Sequence, residues 1–130
     1  MATTFFDIQT WFHTMPQTKF EFPDDLEAEW LLIAVSDYEL NMGCELGYDP
    51  ITRSFPNTLN SAIRNTLAQL MYREYLKREL DKAVHTNGVY GKDVTLTGLD
   101  TNKRVMKQEY DTQNALIETL YYRQKNPAYN

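Results

Sequence analysis

The stretch that decides the fold is residues 58–84, TLNSAIRNTLAQLMYREYLKRELDKAV. Leu59, Ile63, Leu67, Leu70, Tyr72, Leu76, Leu80 and Val84 recur at largely helical spacing, and no glycine or proline interrupts them. The pattern predicts a single helix, a rod of about 40 Å at about 1.5 Å per residue. Downstream, HTNGVYGK at 85–92 puts Asn87-Gly88 and Gly91 into an expected turn, and Val94 and Leu96 then alternate with Asp93, Thr95 and Thr97 as in a short strand or extended loop edge. Thr97-Gly98-Leu99-Asp100 has the spacing of a capping box, with Asp in place of the usual Glu or Gln. A last helix is expected from about Leu99 to Gln124, with Leu99, Met106, Tyr110, Gln113, Ile117, Leu120 and Tyr121 as its stripe. Two rods of similar length joined through a turn-rich insert are most economically an antiparallel pair.

Working back toward the N-terminus, residues 43–57 hold Gly43, Gly47, Asp49-Pro50, Pro56 and Asn57, a connection long enough to carry contacts of its own. Before it, Leu26, Trp30, Ile33, Ala34 and Tyr38 form the stripe of a helix that runs to about Asn41 or Met42 and stops at Gly43. Asp24 and Asp25 are its N-cap candidates, with Glu27 and Glu29 as favourably placed solvated carboxylates of the first turn. Phe5, Ile8, Trp11 and Phe12 suggest a short amphipathic helix within residues 3–12, and residues 17–23 read as a linker. The expected class is therefore all-α: a small bundle of antiparallel helices, two long rods plus a shorter N-terminal helix, with a short extended or β-like insert between the rods. Its organisation is an N-terminal segment, 1–23, followed by a helical domain with a C-terminal tail, 24–130.

Charge is divided unevenly. Residues 1–50 carry ten carboxylates against the single base Lys19, whereas the remaining eighty carry twelve bases against eight acids. Such a split suits a subunit whose acidic part meets the basic part of a neighbour, although folding could equally join the two within one chain. Arg64, Arg73, Lys77, Arg78 and Lys82 supply much of the basic share, interleaved with Glu74, Glu79 and Asp81. They read as a solvated face, an interface with an acidic neighbour, or a phosphate contact.

Reaction chemistry is not visible. His13 and His85 lie in different loops without an evident orienting partner, and Cys44 sits beside an acid that opposes thiolate formation. No catalytic, cofactor or metal residues are assigned, because the acids around Asp24 lack the pattern of a calcium loop and Gly88–Lys92 lacks that of a phosphate loop. The lone cysteine excludes an intrachain disulfide, the start lacks a basic and apolar leader, and no stretch approaches a membrane span. A non-enzymatic, soluble protein of the cytoplasm, or of something assembled there, is expected. Nine tyrosines, six phenylalanines and two tryptophans include a concentration at each terminus, Phe5, Phe6, Trp11 and Phe12 at one and Tyr121, Tyr122 and Tyr129 at the other, where such side chains anchor either a partner or the chain's own core.

The helix around Leu26-Glu-Ala-Glu-Trp30, the long middle helix, the Asn-Gly-Val-Tyr-Gly-Lys-Asp-Val-Thr-Leu insert and the final helix ending in Tyr-Tyr-Arg resemble, in order and size, the head-tail connector (adaptor) proteins of tailed bacteriophages. The resemblance covers roughly residues 24–130. It implies a virion neck subunit, assembled in the host cytoplasm, that forms a ring of roughly twelve copies beneath the portal and extends the DNA channel. Its implied partners are other copies of itself, the portal protein and the next neck or tail protein, with packaged DNA touched only non-specifically and no membrane. Portal docking would fall to Leu120, Tyr121, Tyr122, Arg123 and Tyr129. Subunit contacts would fall to Asp25, Glu29, Trp30, Arg73, Lys77 and Arg78, and the channel or next ring would be faced by Asn87, Val89, Tyr90, Lys92, Val94 and Leu96. The rival reading is a small helical DNA-binding module of phage packaging or regulation, using the five bases of the middle helix on phosphates.

Overall fold

A computed structural model of the chain describes residues 2–15, 22–90 and 97–125, with side chains described outside 83–103. Its four helices are α1 (Phe5–Phe12), α2 (Asp24–Met42), α3 (Ser61–Tyr90) and α4 (Thr97–Lys125). The all-helical bundle expected from the sequence is what forms; of the extended segment expected at 93–97, residues 93–96 lie outside the described residues and Thr97 begins α4. Two isolated bridges, Thr4 with Ser54 and Asp49 with Ser54, are the β pairing among the described residues.

The rods α3 and α4, of 30 and 29 residues, run antiparallel. Thr66 pairs with Gln124 and Gln69 with Gln113, so partners on α4 fall in number as those on α3 rise. Gln113 Nε2 donates to both the carbonyl (2.9 Å) and the side-chain Oε1 (2.6 Å) of Gln69, a part-buried amide pair within the hairpin. The expected turn at Asn87-Gly88 does not form, because α3 continues through it to Tyr90. A glycine inside a helix costs about 1 kcal/mol relative to alanine, less than a helical partner alongside can return.

α3 begins three residues later than its periodicity suggests. Asn60 is the residue that starts it, its Oδ1 accepting the Ile63 N–H at 2.9 Å, while Leu59 N–H is captured by Thr3 Oγ1 at 2.8 Å. Phe5, Ile8 and Phe12 of α1 join Trp30, Leu31, Leu67, Leu70, Met71 and Ile117 in one core, so the N-terminal segment helps build the domain. Gly43 ends α2 at φ +67, with its N–H on the Glu39 carbonyl. At the other end Pro23 precedes the helix without a side-chain cap, and Asp24 and Asp25 are helical residues instead of caps.

The face of α2 also differs from expectation. Glu27, Trp30, Leu31, Ala34, Val35 and Tyr38 turn inward, whereas Ile33 is 46% exposed. Apolar residues on both sides of this helix leave its periodicity without a direction. The body formed by α1 and α2 covers only part of the hairpin. Among the described side chains, the last buried one on α3 is Leu76, and none is buried at 77–82 of α3 or 104–112 of α4. From Lys77 to Lys82 α3 continues beyond its last described buried side chain as one strut of a two-helix arm.

Candidate assembly surfaces

Three helices meet at the base of the hairpin through a polar network. Tyr38 Oη donates to Gln124 Oε1 (2.7 Å), Gln124 Nε2 donates to Thr66 Oγ1 (2.7 Å), and Tyr121 Oη donates to Asp37 Oδ2 (2.6 Å). Burial pushes the Tyr38 phenol up to about 12, with Cys44 adding a smaller contribution in the same direction. Burial likewise raises that of Tyr121, reinforced by the bond to Asp37. Tyr121 is therefore a core residue. Of the positions expected to dock on the portal, Tyr122 and Arg123 reach solvent, Leu120 is half-buried, and Tyr129 lies outside the described residues.

The expected subunit-contact residues separate in the same way. Trp30 is buried edge-on against Phe12, Phe22 and Tyr75 and serves the core. Arg73 is mostly covered and faces inward, with Nη2 at 3.5 Å from Asp37 and Nε at 4.0 Å from Glu74. At this point the acidic helix and the basic rod meet inside one chain. Glu29 and Lys77 are exposed, Arg78 is exposed with its guanidinium 5.1 Å above Phe22, and Asp25 bonds Arg53 at 2.6 Å. Asn87, Val89 and Tyr90 fall on the last helical turns of α3, while Lys92, Val94 and Leu96 lie outside the described residues.

His13 has a partner that sequence reading missed. Its Nε2 lies 2.7 Å from Glu27 Oε1, and Glu27 is 2% exposed, far from the solvated carboxylate expected there. Gln9 Nε2 completes the clasp, donating to Asp24 Oδ1 at 2.9 Å and to Glu27 Oε1 at 3.4 Å. A polar joint thus fastens the end of α1 to the start of α2. The spacing of fourteen residues across a chain reversal gives no periodic signal, although a lone histidine and an acid-rich first turn are its ingredients.

Exposed apolar groups are the remaining surface feature. Leu32, Ile33 and Leu40 lie on the outer side of α2 at 43%, 46% and 83% exposure, and Ile51 stands at 90% in the α2–α3 loop. An open groove of about 520 Å³ runs between the rods, lined by Tyr72, Leu76, Val105, Glu109, Thr112 and Gln113 among others. Cys44 is exposed. Among the described residues no group of three or more His, Cys, Asp or Glu could hold a metal ion, and no helix is long and apolar enough to cross a membrane. Comparison with protein-family models, curated proteins and solved structures returned no match.

Proposed function

We propose that this chain is a ring-forming structural subunit of a tailed-bacteriophage neck, joining the portal to the next neck or tail component and extending the DNA channel. The observation that carries the reading is apolar surface left uncovered on a helix that already has a buried face. The inner side of α2 supplies Trp30, Leu31, Ala34, Val35 and Tyr38 to the core, yet Leu32, Ile33 and Leu40 point outward. A helix apolar on both sides is built to be covered on both sides, and a neighbouring copy supplies the second cover in a ring. Exposed Tyr122 and Arg123 at the end of α4 are the groups offered to a portal, and the projecting arm is offered to the channel or the next ring.

The DNA-binding alternative finds less support. Arg73 is engaged with Asp37, and Arg64 is half-buried with its guanidinium 5.7 Å above the Trp11 ring. Lys77, Arg78 and Lys82 are exposed, with exposed Asp81 among them, a short and mixed patch for a phosphate backbone. Sedimentation velocity with negative-stain imaging tests the proposal. Closed rings of uniform size are expected at micromolar concentration, alone or with the portal, and a strict monomer in both conditions would refute it.

A further inference from the structure

Arg64 is a half-covered cation whose donors are unspent. It stands in the first turn of α3, with its guanidinium carbon 5.7 Å from the centre of the Trp11 ring on α1. Its Nε is shielded from water and has no hydrogen-bond partner, an isolated case among the described residues. No described carboxylate lies within ion-pair distance of it either, although Arg53 and Arg73 each hold one. A covered donor left in this way is costly until something brings an acceptor to the group. Beside it opens a pocket of about 290 Å³, walled by Asp7, Thr10 and Trp11 of α1 and by Arg64 itself. Asp7 is partly committed: its Oδ2 accepts the Thr4 N–H at 2.8 Å and the Thr4 hydroxyl at 3.3 Å in the cap of α1. Thr10 donates its hydroxyl to the Phe6 carbonyl at 2.8 Å, which leaves its oxygen as an acceptor.

Each wall limits what the pocket can take. A guanidinium fork with free donors calls for an oxyanion. Asp7 selects against a multiply charged one, because its charge and that of Arg64 cancel and leave no surplus for a phosphate. Trp11 adds apolar surface for the stem that carries the anion. We infer that this pocket binds a single carboxylate on a short aliphatic stem, as a glutamate side chain of a protein partner presents it. The space is ample for such a side chain. The site owes nothing to the ring reading, since a partner of any symmetry supplies the same group.

Nitrogen–proton NMR of the whole chain, read at the Arg64 Nε–H and the Trp11 indole N–H, tests it. Butyrate added at constant ionic strength should shift both resonances to saturation, half-complete at roughly tens of millimolar. Acetate, two methylenes shorter, should bind several-fold more weakly. Arg64→Lys keeps the charge without the fork and should abolish saturation at the indole while leaving the circular dichroism unchanged. Asp7→Asn still offers an oxygen to the Thr4 N–H and should tighten anion binding about threefold. Arg78, exposed over the Phe22 ring, is the internal control. An Arg64 shift that fails to saturate, or that merely matches the shift at Arg78, would overturn the site. Inorganic phosphate binding as tightly as butyrate would overturn the carboxylate assignment. N-acetylglutamate amide, the group as a protein carries it, should bind at least as well as butyrate; its exclusion while butyrate binds would assign the pocket to a free acid and overturn the protein partner.

Discussion

Replacing His13 with alanine should destabilise the protein by about 2 kcal/mol, because it strips the short bond from a carboxylate that water cannot reach. Glu27 is 2% exposed and accepts from His13 at 2.7 Å and from Gln9 at 3.4 Å, so the variant leaves it one long hydrogen bond. Losing a hydrogen bond to a buried charged group costs roughly 1.5–3 kcal/mol, and the value belongs near the middle because the imidazole itself is half exposed and regains water. For a chain of this length, that corresponds to a fall of roughly 7 °C in Tm. Glu27→Gln keeps the shape, removes the charge, and should cost about 1 kcal/mol alone. In the His13→Ala background it should cost less than that, because the stranded charge is gone, giving a coupling of about 1 kcal/mol between the two positions. Urea unfolding followed at 222 nm reads all four corners of the cycle. A His13→Ala variant within about 0.5 kcal/mol of wild type, or a cycle without coupling, would show that solvent satisfies Glu27 and that the clasp does not hold α1 to α2.

Alkaline pH should act through the tyrosines at the hairpin base. The folded Tyr38 phenol is raised from 10.0 to about 12, so its contribution is intact below pH 10 and is lost as pH climbs toward 12; Tyr38→Phe should flatten that part of the stability profile measured by urea midpoints. Charge reversal should separate folding from assembly: Arg73→Glu, set against Asp37, should lower the urea midpoint of the monomer, whereas Lys77→Glu with Arg78→Glu should weaken low-salt assembly in sedimentation and leave that midpoint nearly unchanged. Truncations of the C-terminus should show an edge. Removing 126–130 should leave a stably folded chain with impaired portal binding by pull-down, whereas removing 121–130 also deletes Tyr121 and Gln124 and should cost at least about 2 kcal/mol in the same unfolding assay.

The long rods were legible because Leu67, Leu70 and Leu76, and later Gln113, Ile117 and Tyr121, face one another at a period that only a helix produces. The outer side of α2 was not, since Leu31, Leu32, Ile33 and Val35 are chemically alike and only tertiary packing decides which of them turn inward. Arg73, Lys77 and Arg78 are similarly equivalent as letters. What separates them is where α2 lies against α3, which places Asp37 beside the first and leaves the other two in water. The Gly88 break failed because a local propensity of about 1 kcal/mol competes with a partner helix running alongside. For the candidate assembly surfaces, charge and aromatic content do not single out the apolar residues that the fold leaves exposed. Ile51 sits in a turn where periodicity carries no information, and the groove exists only once two rods separated by the insert come together.

The amide pair between the two rods has a mechanical corollary. Gln113 bonds Gln69 through both backbone and side chain, so sliding one rod past the other would have to strand two amides before new partners could be found. Small slips are opposed by this pair, and the next register lies a full turn away, about 5.4 Å along the axis. The arm therefore behaves as a stop with fixed notches. The offset of α4 along α3 is stepped by whole turns and not tuned continuously.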